Sequence, residues 1–472
     1  MTSAWHLKHE VHGDKPWAVQ AEANRLCNGR PTWGHWLEQG LGKTALIQNE
    51  FIDQDDTDLH MVFAPGSFKL DWVLAPQEWG VGWLPTGYWP KHKLPFQEEC
   101  MQYAMHYEAM RQKDTLAELI KLFEQRRVMM TVDESTVAKN HSTDTARALI
   151  ELAKRAKVVR QANGTPLTQT VMDYYGQLRV LRELNGWNPY AFKNRFAVMG
   201  GYMGRQFKGV KNEDQLAKIL NECTFRALKK DWRKDLPPKN LIPVHIEMHD
   251  KQRRAFATMM EEFYAEVQND TVSVDLILTR MDKLRQISSG MLMDKGKHWW
   301  LVEPKDNPKV KAVNDLQNSS PGKTIIVHFY KPSGQMLVDH LTKQKRNPAF
   351  IRGGMTPEEI IEQKSKFNTD PTCRDIVCQQ EASSRGHTLL GQKGRDRCST
   401  MIFYENSFSY YHRSQMEDRN HRGEQDTDCN IYDLIASPAD AVAVKNLTGK
   451  RDMASGMDDV VAMVRSWKKT SS

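Results

Sequence analysis

A glycine-rich segment near the start of the chain combines the residue types that bind a phosphate group. It reads Gln39-Gly40-Leu41-Gly42-Lys43-Thr44, and the apolar run Ala45 to Ile52 that follows has the pattern of a helix. The glycines allow backbone N–H groups to face an anion, and the helix start adds a positive dipole. Lys43 adds a charge, and Thr44 offers a hydroxyl to Mg²⁺. Although Leu37 replaces the first glycine of the longer G-x-x-x-x-G-K-T pattern, the segment predicts a nucleotide site.

Two adjacent acids follow a second informative segment. The residues Val128 to Val132 have the apolar pattern of a buried strand, which ends in Asp133 and Glu134. Acids at the carboxyl end of a parallel strand stand where open α/β sheets bind their ligands. Asp133 can hold Mg²⁺ through water, and Glu134 can orient or deprotonate an attacking water molecule. A solvated loop with two acids is the common alternative, but the phosphate loop in the same half of the chain favours hydrolysis.

The composition limits the class of protein. The chain has 472 residues, with 66 Lys or Arg against 59 Asp or Glu, a net charge of +7 and a pI near 8.8. This balance permits nucleic-acid binding without requiring it. The length is typical of two or three domains, and no apolar run is long enough to span a membrane. Seven irregularly spaced cysteines indicate reduced thiols and a cytoplasmic location.

Short apolar runs alternate with helical patterns, which predicts the α/β class with mostly parallel sheets. The strand candidates are Met61–Ala64, Val128–Val132 and Val158–Gln161 in the first half, and Thr324–Phe329, Asp375–Cys378, Thr400–Tyr404 and Cys429–Ile435 in the second. The region between the two groups is mostly helical, including Ala255–Val267 and Val274–Ile287. A Leu236-Pro237-Pro238-Lys239 tract interrupts regular structure. We therefore expect lobes at 1–239 and 240–472, with helical insertions at about 171–235 and 245–300.

Further motifs, taken in order, resemble those of helicase superfamily two and, more narrowly, of the Swi/Snf-type (Snf-two family) DNA translocases. The matching segments are Pro16-Trp17-Ala18-Val19-Gln20, Gln39 to Thr44, Ala64-Pro65-Gly66-Ser67 with Trp72 and Trp79, Tyr107-Glu108-Ala109-Met110, Asp133 to Asn140, Gly164-Thr165-Pro166 and Leu284-Arg285-Gln286-Ile287. The segment Gln415 to Gln425 has the Q-x-E-D-R-x-H-R-x-x-Q shape of the family's final motif. The resemblance therefore covers nearly the whole chain.

This resemblance implies two RecA-like lobes, with ATP and Mg²⁺ in the cleft between them and double-stranded DNA held across both. It assigns the adenine edge to Gln20, the β and γ phosphates to Lys43, and the metal to Thr44 and Asp133. Glu134 would act as the general base or position the attacking water.

The final motif implies a contribution from the second lobe. Arg419 and Arg422 would act as arginine fingers, and Gln415 would contact phosphate. Because the two arginines are three residues apart, they would project from one side of a helix. A surface salt-bridge face formed with Glu417 and Asp418 is the alternative.

Contacts with DNA are assigned by the same resemblance. The expected residues are Ser67 and Lys69 in the first lobe and Ser384 and Thr388 in the second, with Thr165 linking nucleotide state to the grip on DNA. The basic segment 226–239 is either a DNA-facing strip or an ordinary charged helix, and the sequence leaves both open.

Some positions depart from the family pattern. Thr136 replaces a histidine, Ala162-Asn163 replace Leu-Thr, and Gly423-Glu424 replace Ile-Gly. None of these changes removes a residue that hydrolysis requires. The chain resembles the minimal bacterial or bacteriophage form of the family, which would place it in the cytoplasm of a bacterial host.

The leading interpretation is an ATP-driven translocase on double-stranded or branched DNA, acting in DNA repair or recombination without a membrane. Proteins of a recombination or replication apparatus are the expected partners, and the family often works as a monomer. Two alternatives stay open. One is a strand-separating or branch-processing helicase, and the other is a non-catalytic nucleic-acid-binding scaffold or a subunit of a larger DNA-processing machine.

Overall fold

The structure is a computed structural model that describes residues 4–8, 14–66, 69–89, 99–164, 166, 170–184, 186–200, 206–268, 273–383, 388–394, 396–422, 425–449 and 457–470. The chain forms two compact units, Met1–Lys234 and Asp235–Ser472. The division expected from the sequence, between residues 239 and 240, lies a few residues further along, at the first strand of the second unit.

The first unit is built on a parallel sheet. Its strands are β1 (Thr32–Leu37), β2 (Leu59–Ala64), β3 (Thr86–Tyr88), β4 (Gln102–His106), β5 (Val128–Asp133), β6 (Val158–Ala162), β7 (Ala197–Gly200), β8 (Gln206–Val210) and β9 (Thr224–Ala227). Seven of them lie in the order β3-β4-β2-β5-β6-β1-β9, and every neighbouring pair is parallel. Because only β6 separates β5 from β1, the carboxyl ends of β5 and β1 lie on the same edge of the sheet.

Helices connect these strands. They are α1 (Ala18–Cys27), α2 (Lys43–Asp53), α3 (Lys69–Glu78), α4 (Lys113–Gln125), α5 (Asp144–Ala153), α6 (Asp173–Val180), α7 (Pro189–Phe196), α8 (Glu213–Cys223) and α9 (Lys229–Trp232). The segment expected to be a helical insertion, 171–235, contains α6 to α9 and also three strands. Of these, β7 and β8 form an antiparallel hairpin, and β9 joins the main sheet beside β1.

Alternate residues of the buried strands pack on opposite faces of this sheet. Met61 and Phe63 of β2 lie in the apolar cluster that includes Leu149 of α5. Val62 lies in the cluster that includes Ile47 of α2. Both faces are therefore covered by helices, which explains why the central strands are apolar at nearly every position.

The second unit repeats this architecture. Its strands are β10 (Lys239–His245), β11 (Met291–Asp294), β12 (Lys297–Trp300), β13 (Lys323–His328), β14 (Ala349–Ile351), β15 (Asp375–Gln379), β16 (Cys398–Phe403) and β17 (Cys429–Ile435). Six of them form a sheet in the order β10-β17-β16-β13-β15-β14, with every neighbouring pair parallel. β11 and β12 pair as an antiparallel hairpin, which lies within the segment expected to be the second helical insertion.

The helices of the second unit are α10 (Asp250–Gln268), α11 (Val274–Ser288), α12 (Pro308–Ser319), α13 (Lys331–Lys343), α14 (Pro357–Thr369), α15 (Gln380–Ser383), α16 (Tyr410–Glu417), α17 (Pro438–Thr448) and α18 (Met457–Thr470). Residues of α10, α11, α17 and α18 share one apolar cluster beside the sheet. All seven strands predicted from the sequence are confirmed to within two residues. The two predicted helical segments lie within α10 and α11, although α10 begins five residues earlier than expected. In the part of the chain that the structure describes, no helix is both long and apolar enough to cross a membrane.

A buried charged cluster joins β1, α2 and β6 in the first unit. The Glu50 carboxylate on α2 lies 2.6 Å from His35 Nε2 on β1, and Arg160 Nε on β6 donates to the same carboxylate. All three side chains are at most 3% exposed. Burial alone would raise the pKa of Glu50, but His35 and Arg160 lower it to about 2. The cluster therefore ties the helix that follows the phosphate loop to the strand that precedes it.

We expect Arg160→Ala to lower the free energy of unfolding of the first unit by about 3–5 kcal/mol, because it leaves a buried carboxylate without its cationic partner. Urea denaturation followed by tryptophan fluorescence measures the change. The surface pair of Arg155 with Glu124 supplies the control, since Arg155→Ala should cost about 0–1 kcal/mol. A loss for Arg160→Ala no larger than that of the control would contradict the structural role of the cluster.

Candidate nucleotide-binding and hydrolysis site

The phosphate loop runs from the end of β1 to the start of α2. Gly40 and Gly42 have φ of 80° and 76°, in the left-handed region that favours glycine. A Cβ on Gly42 would lie 2.2 Å from Gln20 Nε2, so a side chain there would displace the Gln20 amide. Lys43 Nζ donates to the Leu37 carbonyl at 2.8 Å, which holds the ammonium beside the loop.

Gln20 contacts this loop directly. Its Nε2 donates to the Gly42 carbonyl at 3.1 Å, and its Oε1 accepts from the Trp17 backbone N–H at 2.8 Å. The side chain is 3% exposed. The residue expected to read adenine therefore lies against the phosphate loop and is held in place by α1. Whether it contacts adenine stays a prediction.

Asp133 ends β5, the strand between β2 and β6, and its carboxylate has two donors. Trp72 Nε1 donates to Oδ2 at 2.9 Å, and the Glu134 backbone N–H donates to Oδ1 at 3.0 Å. Burial and then the charge of Glu134 raise the pKa of Asp133 to about 6, while the hydrogen bond from Trp72 and the charge of Lys43 oppose the rise. Trp72 thus orients the acid that is expected to bind metal. The sequence indicated Trp72 only as part of a motif and gave it no role at Asp133.

Glu134 adopts a left-handed backbone conformation with φ of 54°. Gln39 Nε2 of the phosphate loop donates to Glu134 Oε1 at 3.4 Å. The other oxygen, Oε2, is buried and has no hydrogen-bond partner among the described residues. Strain in a non-glycine residue and an unpaired buried carboxylate oxygen both occur preferentially at functional sites. This oxygen fits a role in accepting a hydrogen bond from a water molecule.

The residues after Glu134 are held by a buried network centred on Gln177 of α6. Ser135 Oγ donates to Gln177 Oε1 at 2.7 Å, and Asn163 Nδ2 donates to Ser135 Oγ at 3.0 Å. Gln177 Nε2 donates to the Pro166 carbonyl at 2.7 Å. Sequence reasoning missed Gln177, because no motif includes it. Its partner Asn163 is one of the positions at which the chain departs from the family pattern, and this departure is the available sequence signal.

The two predicted arginines of the second unit do not lie on a helix, so that expectation is wrong. Helix α16 ends at Glu417, and the chain then forms turns that contain Arg419 and Arg422. Arg419 is fully buried and donates to Gln415 Oε1 at 3.3 Å. Arg422 donates to Thr388 Oγ1 at 3.0 Å. The structure therefore brings four of the predicted residues together in two pairs, Arg419 with Gln415 and Arg422 with Thr388.

A third arginine, Arg413, forms the ion pairs in this region. It donates to Glu417 at 2.6 Å and to Asp433 Oδ2 at 3.0 Å, and it lies 3.7 Å from the centre of the Phe403 ring. Glu417 also accepts from Lys239 at 2.8 Å. The alternative of a surface salt-bridge face is thus wrong for Glu417, since its partners are Arg413 and Lys239 and its carboxylate is largely buried.

The predicted DNA contacts and the coupling residue are described only in part. Ser67, Ser384 and Thr165 lie outside the described residues. Lys69 donates to the Trp89 carbonyl at 3.2 Å, and its ammonium lies 5.3 Å from the centre of the Tyr88 ring. The assignment of Lys69 and Thr388 to DNA binding stays a prediction.

The fold and the site define a class of protein. Two parallel sheets flanked by helices, with a glycine-rich loop after β1 and a pair of acids after β5, have the architecture of two RecA-like lobes. A family model described as an SNF2-related domain matches residues 99–291. This match and the curated relatives support a Snf2-type superfamily-two ATPase, a class that uses ATP, typically with Mg²⁺.

Curated relatives match at low identity. The "DNA annealing helicase and endonuclease ZRANB3" of Bos taurus is 24% identical over 324 residues, which cover 66% of this chain and 28% of that protein. The protein of the same name from Mus musculus is 24% identical over 427 residues, which cover 85% of this chain and 36% of that protein. The matched region thus spans about a third of the length of these relatives.

Solved structures are also similar. The Sulfolobus solfataricus SWI2/SNF2 ATPase core in complex with dsDNA has 18% sequence identity and a TM-score of 0.43, with 95% of this chain and 94% of that chain covered.

We expect Gln177→Met to lower the kcat of ATP hydrolysis about tenfold or more, because Ser135 and the adjacent Glu134 lose a fixed position. The KM for ATP should stay within about twofold, since none of the network's hydrogen bonds involves the phosphate loop. Steady-state kinetics measure both constants. Gln125→Met, at an exposed position of α4, is the matched control.

A rise in KM with unchanged kcat would contradict this positioning role. Combining Gln177→Met with Ser135→Ala should add little to the single change, because both remove the same network. Thermal unfolding of each variant shows whether the first unit is still folded.

Proposed function

We propose that this protein is an ATP-dependent translocase on double-stranded DNA that couples hydrolysis in its nucleotide site to movement along the duplex. The proposal depends on one observation: the phosphate loop and the paired acids lie at the same edge of the sheet. There Gln39 donates to one oxygen of Glu134, and the other Glu134 oxygen has no hydrogen-bond partner among the described residues. The order of Snf2-type motifs along the chain supports the DNA substrate.

The nucleotide site contains side chains suited to MgATP. Gly42 and the start of α2 would surround the phosphates with backbone N–H groups, and Lys43 would add its charge. Thr44 and Asp133 would hold Mg²⁺, Asp133 through the metal's water shell. Bound MgATP supplies the phosphoryl group that is transferred to water. Glu134 would accept a proton from that water or orient it for attack.

The second unit would complete the reaction through Arg419 and Arg422. An arginine that stabilises the charge of the transferred phosphoryl group accelerates related reactions by roughly 10³–10⁵. Because the arginine would come from a separate unit, hydrolysis would depend on a conformational step. That dependence would couple ATP turnover to movement along DNA. Thr165 would connect the nucleotide state to DNA binding.

The DNA substrate is supported by the relatives. The ZRANB3 proteins are named as DNA annealing helicases and endonucleases, and a family model described as an SNF2-related domain matches residues 99–291. We propose double-stranded or branched DNA as the partner, in repair or recombination, together with proteins of a recombination or replication apparatus. The seven buried, free cysteines are typical of a reducing compartment and support a cytoplasmic location.

A strand-separating helicase is the second candidate function, favoured by the word helicase in the names of these relatives. Steady-state ATPase assays without nucleic acid and with single-stranded DNA, blunt duplex, forked DNA and RNA separate the candidates. Stimulation by blunt duplex supports translocation, which triplex displacement then tests directly. Stimulation by single strands, forks or RNA alone would favour the helicase. Absence of turnover with all of them would favour a scaffold or a subunit that requires a partner.

We expect Glu134→Gln to lower duplex-stimulated turnover by at least about 10²-fold, because the amide cannot accept the proton from water. ATP binding should persist, since Lys43 and the loop are unchanged. Lys43→Ala should instead weaken binding itself. Turnover is measured by phosphate release and binding by a fluorescent ATP analogue.

Glu108→Gln, at an exposed position of the same unit, is the control for loss of a carboxylate. Substantial DNA-stimulated turnover by a pure Glu134→Gln protein would contradict the assignment of Glu134.

We expect Arg422→Ala to lower duplex-stimulated kcat by about 10³-fold, because the transferred phosphoryl group loses its cationic partner. ATP affinity of the first unit should change little. Arg374→Ala, which removes an exposed arginine of the same unit, is the control. If Arg422→Ala and Arg374→Ala have equal kcat, Arg422 is not an arginine finger.

A further inference from the structure

A basic segment of the first unit lies outside every motif used above. From Leu184 to Asn212 the sequence has five Lys or Arg and no Asp or Glu, although acids make up 59 of the chain's 472 residues. The five are Lys193, Arg195, Arg205, Lys208 and Lys211. A region without acids in a chain of nearly balanced charge has a locally positive potential.

Helix α7 in this segment is anchored by one face. Phe192 and Phe196 are fully buried, with ring centroids 4.9 Å apart, and Trp187 stacks on Phe196 at 5.9 Å. Tyr190 of the same helix is 73% exposed, and Arg195 is also exposed. The aromatic residues therefore fix the helix against the core and leave a tyrosine and a basic residue facing solvent.

The hairpin of β7 and β8 is anchored in the same way. Met199, Phe207 and Val210 pack against the core of the first unit. Val198, which alternates with the inward-facing Met199, is 39% exposed. The register of the hairpin shifts between Val198 and Met199, which leaves Lys208 as an extra residue of β8, and its side chain is exposed. The outer face of the hairpin thus presents an apolar side chain and a lysine.

Hydrogen bonds join the hairpin to α7. The Lys211 backbone N–H donates to the Phe196 carbonyl at 2.9 Å. Asn212 Nδ2 donates to the Arg195 carbonyl at 2.6 Å, and Arg195 Nε donates to Gln215 at 2.6 Å. The end of α7 and the end of β8 are therefore held together, which brings the exposed Arg195 and Lys211 close along the backbone.

The exposed side chains Tyr190, Arg195, Val198, Lys208 and Lys211, together with the half-buried Lys193, form what we name the basic hairpin surface. Within the described part of the chain, none of its four basic residues forms an ion pair with an acid. By contrast, Lys121 on α4 and Lys154 on α5 each lie beside a carboxylate. Uncompensated cations next to an exposed aromatic ring are typical of surfaces that bind the nucleic-acid backbone.

We propose that the basic hairpin surface binds the sugar-phosphate backbone of double-stranded DNA. The lysines and Arg195 would contact phosphates, and the Tyr190 hydroxyl can donate to a phosphate oxygen. A two-stranded ribbon also fits the major groove of B-form DNA. The binding is independent of base sequence, as a translocase requires. This inference rests on the proposed function and adds a DNA-binding surface outside the helicase motifs.

The test is a triple variant, Lys193→Gln/Lys208→Gln/Lys211→Gln, measured in the full chain. Fluorescence anisotropy with a labelled blunt duplex gives Kd at several KCl concentrations. Losing three phosphate contacts should reduce the slope of log Kobs against log[KCl] by about 2.7 and weaken affinity at least tenfold at low salt. Tyr190→Ala should weaken affinity without changing that slope. Turnover without DNA should equal that of the wild type.

The matched control is Lys113→Gln/Lys121→Gln/Lys154→Gln, which removes the same charge from exposed positions of α4 and α5. Equal Kd and equal slope for the hairpin variant and this control would overturn the inference, even if duplex stimulates the wild type. If the wild type neither binds duplex nor is stimulated by it, the proposed function fails as well. Thermal unfolding of both variants at the wild-type temperature shows that the affinity change does not arise from misfolding.

Discussion

The burial of the Asp133 carboxylate at the end of β5 is the constraint on which the first unit depends. A buried carboxylate needs donors, and they come from two directions, the Trp72 indole of α3 and the adjacent backbone N–H of Glu134. The Glu134 backbone N–H makes its hydrogen bond to Asp133 Oδ1 while Glu134 has its left-handed backbone conformation. The single proton of the Tyr107 hydroxyl is shared between the carbonyls of Phe63 and Asp133, which holds β2 and the end of β5 together. The acid pair is thereby held by neighbouring strands and α3.

The phosphate loop reaches the acids through the order of the strands. β6 lies between β5 and β1, so the residues that follow β1 and β5 meet at one edge, and Gln39 bonds Glu134 there. The cluster of Glu50 with His35 and Arg160 holds β1 and β6 to α2. Its cost in desolvation is offset by ion pairing within the cluster.

A hydrogen-bond network around Gln177 explains one departure from the family pattern. Asn163 has a side-chain amide where the family has threonine, and both Asn163 and Ser135 form hydrogen bonds with Gln177. The network connects the residue after Glu134 to the segment that ends in Pro166. In the second unit, Arg413 with Asp433 and Glu417 orders the end of α16, and the turns that contain Arg419 and Arg422 follow. Although burial opposes it, these two acids raise the pKa of Arg413.

The sequence by itself determined the class of fold, the two groups of strands and the composition of the nucleotide site. These follow from local patterns, since a buried parallel strand needs a continuous apolar run and a phosphate loop needs glycines before a helix. Short strands such as β3, β9 and β14 escaped prediction, because three or four residues have too little pattern to distinguish a strand from a loop.

The tertiary structure alone decided which side chains meet. Trp72 and Asp133 are separated by 61 residues, and Gln177 and Ser135 by 42, so no local pattern indicates that they bond. The sequence also did not predict that α16 ends at Glu417, before Arg419, because helical spacing does not show where a helix gives way to a turn. Burial creates these contacts, since each polar group removed from water must find a partner wherever the fold supplies one.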